Sequence, residues 1–360
     1  MSEIGYYEQQ LNAMIPLVEP LAEEEMEEVK KRWDTLCKPL KSLGKLEDMV
    51  IQLGGIRHTA NPKSRKKAVI IMAGDHGIVE EGISQTGQEV TCSVVESMTK
   101  GASAVCVMAK LSNADVIPVD IGMASDPNGD TILRKKVRYG TNNFRKQPAM
   151  TREESVKAIL NGIETVKELV QKGYDTFAIG EMGIGNTTSS SAICSAYFEC
   201  EAKEVTGRGA GLSTEALERK IKLIDEVIAY HKPDKEDVLD MLSKVGGLEI
   251  AGMTGCFIGA ALYRKPIVMD GFISAVSALL AISLCPLCKQ YIFPSHCSKE
   301  IAGKKVMEAV GLEPYFMLDM CMGEGTGAVM GLSMLDYALT CYQKIPRFEE
   351  NKIEKYVPLV

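Results

Sequence analysis

Short apolar runs alternate with longer amphipathic stretches along most of the sequence. The runs are rich in Val, Ile and Met and end in glycine or polar residues, as buried strands followed by loops do. The stretches between them repeat apolar residues at helical spacing. The pattern predicts strands at 68–73, 116–121, 176–179, 266–270 and 291–295, and helices that include 153–172, 214–231 and 274–285.

Strands that alternate with helices predict an α/β fold, with a mostly parallel sheet covered by helices on both faces. Ahead of this pattern, the spacing predicts an amphipathic helix at 21–37 and a second helix at 48–53. A last helix is predicted at about 327–342. We expect segments 1–60 and 328–360 to form a small helical domain, and 61–327 to form the large α/β domain.

The composition is that of a soluble globular protein, with 46% apolar residues, 25% charged residues and a net charge of −7. No basic stripe suits nucleic acid, and no apolar run is long enough to cross a bilayer. The first residues lack the pattern of a signal peptide, and the eleven cysteines are scattered. We therefore expect a cytoplasmic protein with reduced thiols and with no nucleic-acid or membrane partner.

Two glycine-rich loops each place one glutamate ahead of a predicted helix: Glu181 lies in 180–188 and Glu324 in 323–327. Glycines let backbone amides approach a phosphate, and a helix N-terminus favours an anion. Taken singly, the first loop is equally typical of a tight strand–helix turn, and the second of an acid that caps a helix. Because a carboxylate repels phosphate, its presence in both loops favours a cation or a transferable proton in the site.

A third loop, with Arg208 and Gly209, precedes a predicted helix that carries Lys220. This lysine suits a phosphate as a point charge, and the alternative is a flexible loop with solvated charges. Ser295 ends one predicted strand and His76 lies in the loop after another, at the edge where ligands bind in open parallel sheets.

The sequence predicts no metal site. Its four histidines are not clustered, and a single His76 after a strand is more often structural than catalytic. Cys285 and Cys288 form a lone CxxC pair, whereas a structural zinc site takes four ligands. We interpret the two cysteines as one face of a helix.

Taken together and in order, these motifs resemble the nicotinate-nucleotide:dimethylbenzimidazole phosphoribosyltransferase family, over nearly the whole chain. The resemblance rests on KP…SLGKLE at 38–47, AGDHG at 73–77, GEMGIGNTT at 180–188, KVGGLE at 244–249, DGF at 270–272, SH at 295–296 and GEGTGA at 323–328.

The resemblance implies a Rossmann-like catalytic domain, a small helical domain and a homodimer. It implies nicotinate mononucleotide as the ribosyl donor, an aromatic base as the acceptor and no cofactor. By the resemblance, Glu324 is the catalytic base, Glu181 is a second active-site carboxylate and Lys220 binds the phosphate. Other ligand contacts are implied at Gly183, Asn186, Gly209, Ser295 and Gly323.

The implied chemistry explains the residue types. The nitrogen that leaves from nicotinate mononucleotide is already a pyridinium, so it departs neutral without a general acid, and a donor without pyrophosphate needs no Mg²⁺. What remains is a phosphate anchor, support for a cationic sugar, and a base that takes a proton from the acceptor. Glu324 suits the base, and Glu181 suits the electrostatic support.

Two departures from the family pattern leave the acceptor open. Family positions that supply polar contacts to the base fall on Thr86 and on Val94, which cannot form one. With Met182, Ile184 and Met322 also placed near the base, the sequence predicts an apolar, adaptable pocket. The acceptor is then dimethylbenzimidazole, another benzimidazole, a purine or a phenol. A phenol, with a pKa of about 10, is a poor match for a glutamate with a pKa of about 4.3.

Two other functions compete with this one. A nicotinamide-dependent dehydrogenase needs a GxGxxG loop after the first strand, where this chain has Gly74-Asp75-His76-Gly77. A non-catalytic paralogue that stabilises a partner subunit in a heterodimer would not need both Glu181 and Glu324. The sequence therefore favours an enzyme.

Overall fold

A six-stranded parallel sheet organises the computed structural model, which describes residues 5–354 and 356. The strand order is β3-β2-β1-β4-β5-β6. The strands are β1 (Lys67–Gly74), β2 (Ala114–Gly122), β3 (Leu133–Arg134), β4 (Thr176–Met182), β5 (Ile267–Met269) and β6 (Ile292–Pro294).

Helices connect the strands and cover the sheet. All eight residues of β1 are buried, which requires cover on both faces. The helices are α1 (Tyr6–Met14), α2 (Glu23–Trp33), α3 (Lys45–Arg57), α4 (Glu89–Thr99), α5 (Ala104–Leu111), α6 (Arg152–Gln171), α7 (Asn186–Phe198), α8 (Thr214–His231), α9 (Val238–Val245), α10 (Leu248–Leu262), α11 (Phe272–Leu284), α12 (Gly303–Val310) and α13 (Thr326–Lys344).

The predicted α/β fold with a mostly parallel, Rossmann-like sheet is confirmed. Each of the five predicted strands is present, with bounds that differ by a few residues. The sequence pattern missed β3, because a two-residue edge strand has no periodicity to detect. The helix expected at 48–53 is the longer α3, and the helix expected at 21–37 is the shorter α2.

The strand order reverses between β1 and β4, and this reversal opens a crevice at their carboxyl ends. The two strands pair in register from Lys67 opposite Thr176 to Ala73 opposite Met182. Open parallel sheets bind ligands at such a switch point. The loop after β1 and the loop after β4 therefore leave the sheet side by side.

The two chain ends meet through α2, α3 and α13. Trp33 of α2 packs edge-to-face on Tyr342 of α13, with ring centroids 4.9 Å apart. The Tyr342 hydroxyl donates to the Ala60 carbonyl at 2.7 Å. The other end of α13 lies beside β4 and β5, at the crevice. A division into a small helical domain and a large domain stays a prediction.

None of the helices within residues 5–354 is long and apolar enough to cross a membrane.

Candidate active site

The end of β4 brings Glu181 to the crevice, and buried hydrogen bonds fix the loop that follows it. Ile184 donates its backbone N–H to Thr91 Oγ1 at 3.1 Å. Thr91 in turn donates to Asp75 Oδ1 at 2.6 Å. The second oxygen of Asp75 accepts from the Ala124 backbone at 2.8 Å. Because Thr91 and Asp75 are buried, this chain of bonds holds the loop in one position.

The turn that carries Glu324 has a rare backbone conformation. Its three residues have left-handed φ angles of 78° at Gly323, 58° at Glu324 and 81° at Gly325. Such an angle is costly for a residue with a side chain, and such strain is concentrated at functional sites. A Cβ on Gly180 would lie 2.5 Å from the Gly325 nitrogen, so only glycine in β4 lets this turn lie directly on the strand.

Asp270, at the end of β5, holds this turn and the start of α13. Its Oδ2 accepts from the Gly325 backbone at 3.0 Å. Its Oδ1 accepts from the backbones of Gly327 and Ala328 at 2.8 Å and 3.1 Å. A carboxylate supplied by another strand therefore satisfies the free N–H groups of the helix and complements its dipole. Burial still raises the pKa of Asp270 to about 6, against the lowering effect of these bonds.

Carboxyl groups crowd the floor of the crevice. Burial, together with the charges of Glu249, Asp270 and Glu324, raises the pKa of Glu181 to about 8, against the lowering effect of a hydrogen bond from Asn186. Burial also raises the pKa of Glu324, and a backbone N–H at the start of α5 lowers it. The two candidate acids thus lie where a cation or a transferred proton would stabilise them.

A fully buried histidine pairs with one of these carboxyls behind the loop. His76 Nε2 lies 2.6 Å from Glu249 Oε1, and His76 Nδ1 lies 2.8 Å from Ser189 Oγ. The other oxygen of Glu249 has no hydrogen-bond partner among the described residues. His76 is therefore paired with Glu249, a partner that the place of His76 after a strand did not reveal.

Lys220 reaches the same loop from α8. Its buried ammonium donates to Thr187 Oγ1 at 2.9 Å, in the first turn of α7. Burial lowers the pKa of Lys220 to about 8, and the charge of Glu300 partly opposes this. A lysine charge at the N-terminus of α7 makes this turn suited to an anion.

The structure brings most of the predicted site residues into one cleft. Met182 and Ile184 line it beside the α7 turn, and Met322, exposed to solvent, lines it from the opposite loop. The predicted residues that line this cleft are Glu181, Met182, Gly183, Ile184, Asn186, Gly209, Met322, Gly323 and Glu324.

The remaining predicted residues lie around the cleft and do not line it within the described chain. Lys220 lies behind Thr187. Ser295 is buried, with its hydroxyl 3.1 Å from His296 Nδ1, and His296 itself lines the cleft. Thr86 lies on an exposed loop, and Val94 lies on α4 against the core. The roles of all predicted site residues stay predictions.

No group of three or more metal-binding side chains is present within residues 5–354. Cys285 and Cys288 are buried free thiols at the end of α11 and in the turn of 3-10 helix after it.

A family profile described as Phosphoribosyltransferase matches residues 18–353. The chain is 49% identical over 340 residues to the nicotinate-nucleotide–dimethylbenzimidazole phosphoribosyltransferase of Acetivibrio thermocellus, a match that covers 94% of this chain and 97% of that protein. It is also 49% identical over 334 residues to the protein of the same name from Clostridium acetobutylicum, covering 93% and 95%. The chain belongs to this phosphoribosyltransferase family.

Solved structures with the names of this family share the fold. The crystal structure of CobT from Thermus thermophilus superposes with a TM-score of 0.87 at 34% identity, covering 92% of this chain and 100% of that one. A second structure, of the nicotinate-nucleotide–dimethylbenzimidazole phosphoribosyltransferase of the same organism, gives 0.85 at 33% identity, covering 92% and 99%. The predicted family, fold class and enzyme class are therefore confirmed.

The Asp270 contacts generate a first prediction. In Asp270→Ala, three backbone N–H groups lose their acceptor at once, and we expect the free energy of unfolding to fall by about 2–4 kcal/mol. Activity should fall with it, because the turn that carries Glu324 loses its anchor. Denaturant unfolding measures the first effect, with the exposed Asp130→Ala as the matched control. Equal stability of the two variants would show that Asp270 does not hold the turn.

Proposed function

We propose that this protein transfers the 5-phosphoribosyl group of nicotinate mononucleotide to an aromatic base of the dimethylbenzimidazole type, and that it releases nicotinate and an α-riboside phosphate. Family membership supports the reaction, because the relatives carry that name. The observation that carries the proposal is one cleft that combines two carboxyls whose pKa is raised by burial, Glu181 and Glu324, with the lysine-supported turn of α7.

The phosphate of the donor would bind at the start of α7. Gly183 and Asn186 line the cleft there, and the Thr187 hydroxyl is held by Lys220. Helix N-termini bind phosphate through free backbone N–H groups and the helix dipole. This anchor would set the position of the ribose against the two carboxyls.

Glu181 would support the sugar as its bond to nicotinate breaks. The bonding electrons leave with the pyridinium nitrogen, so positive charge develops on the ribosyl carbon. Because burial and neighbouring carboxyls raise the pKa of Glu181 to about 8, its ionised form is costly until a cation is beside it. The cationic sugar would supply that partner, so the interaction is stronger in the transition state than before it.

Glu324 would take the proton from the acceptor. One nitrogen of a benzimidazole forms the new bond to the ribosyl carbon, and the resulting cation then loses the proton on its other nitrogen. Burial raises the pKa of Glu324, which brings it closer to that of its proton donor. The same shift reduces the difference between the pKa of Glu324 and that of a phenol, so a phenolic acceptor is a second candidate.

The proposed function is tested by product analysis. The enzyme with nicotinate mononucleotide and equal amounts of dimethylbenzimidazole and p-cresol should yield nicotinate and the benzimidazole riboside phosphate, identified by mass spectrometry. A p-cresol riboside as the main product would instead assign a phenolic acceptor. Release of nicotinate with no riboside of any base would overturn the proposal.

The role of Glu324 as the general base is tested by substitution. In Glu324→Gln, the side chain keeps its size but cannot take a proton, so kcat should fall about 10²–10⁴-fold with little change in donor binding. Glu313→Gln, whose side chain is 81% exposed, makes the same change outside the cleft and should leave kcat unaltered. Unchanged turnover in Glu324→Gln would remove this residue from the role of base.

A third test concerns the phosphate anchor. Since the pKa of Lys220 is lowered to about 8, the lysine is charged below that pH and loses its charge above it. We expect kcat/KM for nicotinate mononucleotide, which reports the free enzyme, to decline as the pH rises through about 8.

The variant Lys220→Arg keeps its charge at these pH values and should lose this decline, even if its absolute kcat/KM is lower. Lys222→Arg, on the exposed side of the same helix, should keep the decline of the wild type. If Lys220→Arg declines like the wild type, the titrating group is not Lys220.

The protein would act in the cytoplasm as a dimer of identical subunits, as the resemblance to the family implies. The eleven cysteines are free thiols, as in reducing compartments. The packed helices α5 and α13 expose Val107, Leu111 and Tyr337, the kind of apolar side chains that subunit interfaces bury. Sedimentation velocity of the protein alone separates this state from a monomer that pairs only with a paralogue.

A further inference from the structure

A second cavity lies at the end of the sheet opposite the candidate active site, and we name it the basal pocket. It forms where the chain enters β1, β4 and β5 and where α3 ends. The lining residues are Ile56, Arg57, His58, Arg65, Asp175, Tyr263, Arg264 and Lys265.

Positive charge exceeds negative charge in the basal pocket. Among the described residues that line it, Asp175 is the single carboxylate, and it is shared by three cations: Arg57 at 2.5 Å, Lys265 at 2.7 Å and Arg65 at 3.7 Å. Arg264 adds a fourth cation and is paired with Glu19 outside the lining, at 3.0 Å.

The Arg57 guanidinium is nearly buried and incompletely paired. Its side chain is 4% exposed, and its Nη atoms donate to the Lys63 carbonyl at 2.6 Å and to Thr176 Oγ1 at 2.8 Å. Its Nε, which is also buried, has no hydrogen-bond partner among the described residues. Burial lowers the pKa of Arg57, Asp175 raises it, and the neighbouring Arg65 lowers it again.

The other cations are placed to receive a ligand. Arg65 has a side chain that is 58% exposed, and its contact with Asp175 is too long for a hydrogen bond. The side chain of Lys265 is 20% exposed, and its ammonium donates one of its three N–H groups to Asp175. Tyr263 and Ile56 give the same cavity an aromatic and an aliphatic wall.

We propose that the basal pocket binds a small phosphorylated anion, through Arg65, Lys265 and the unpaired side of Arg57. A phosphate group would relieve the repulsion among these cations. It would also accept hydrogen bonds from the N–H groups that Asp175 leaves without an acceptor. The site is separate from the catalytic cleft, because the extended chain of β4 between Asp175 and Glu181 puts about 20 Å between them. An anion there would tie the end of α3 to the first residues of β4 and β5.

Calorimetric titration with pyrophosphate tests the proposal. The catalytic cleft also attracts phosphate, so every titration uses protein that carries Lys220→Met, at constant ionic strength. In this background we expect one remaining binding event. The further change Arg65→Gln with Lys265→Gln should weaken it at least about tenfold, the usual effect of losing charge-assisted hydrogen bonds.

The matched control is Arg145→Gln with Lys146→Gln, which removes the same two charges from exposed positions. It should bind pyrophosphate like the background protein. Arg65→Gln alone, at a mostly exposed residue, should also weaken binding and guards against a folding defect in the double variant. Equal affinity of the Arg65 variants and the control, or no binding in the background protein, would overturn the proposal.

Two further ligands identify the class of anion. Ribose 5-phosphate and adenosine monophosphate carry the same phosphate, but only the second has a base that can stack on Tyr263. Tighter binding of the nucleotide, lost in Tyr263→Leu, assigns a nucleotide site. Equal binding of both assigns a site for the phosphate group alone.

Discussion

The bonds between Asp270 and the start of α13 are the interaction on which the site depends. They join the end of β5 to a turn that three successive left-handed residues make intrinsically unfavourable. Without an acceptor from the sheet, the free N–H groups of the helix would have to find water in a buried position. A single carboxylate thus holds the turn that carries Glu324 at the end of the sheet, beside β4.

The same carboxylate belongs to a group of buried acids, and this group would suit a reaction in which positive charge develops in the crevice. Burial raises the pKa of both Glu181 and Asp270, and the charges of Glu249 and Asp270 raise that of Glu181 further. Of these three acids, Glu249 has a histidine partner, His76, at hydrogen-bond distance. In the proposed reaction, the repulsion around Glu181 would be relieved as positive charge develops beside it, which is the condition for electrostatic catalysis.

The sequence was sufficient to predict the features that repeat along the chain and those that combine unusual residues. Apolar runs located five strands, and glycine-flanked glutamates located both Glu181 and Glu324. Partners that are distant in sequence were out of reach: His76 and Glu249 are 173 residues apart, and nothing near Asp270 indicates that it caps a helix 55 residues later. Thr86 and Val94 were assigned by resemblance alone, and their surroundings within this chain do not place them at the cleft.

The place of α13 in the chain, after all six strands, has a consequence for folding during synthesis. The cleft unites Glu181 with Glu324, and the residues that hold Glu324 follow β5. During translation, the segments that form the sheet leave the ribosome before α13 does. Until α13 emerges, a nascent chain would therefore expose the surfaces of β4, β5 and β6 that this helix covers. The turn that carries Glu324 can take its place at the cleft only once α13 packs on the sheet.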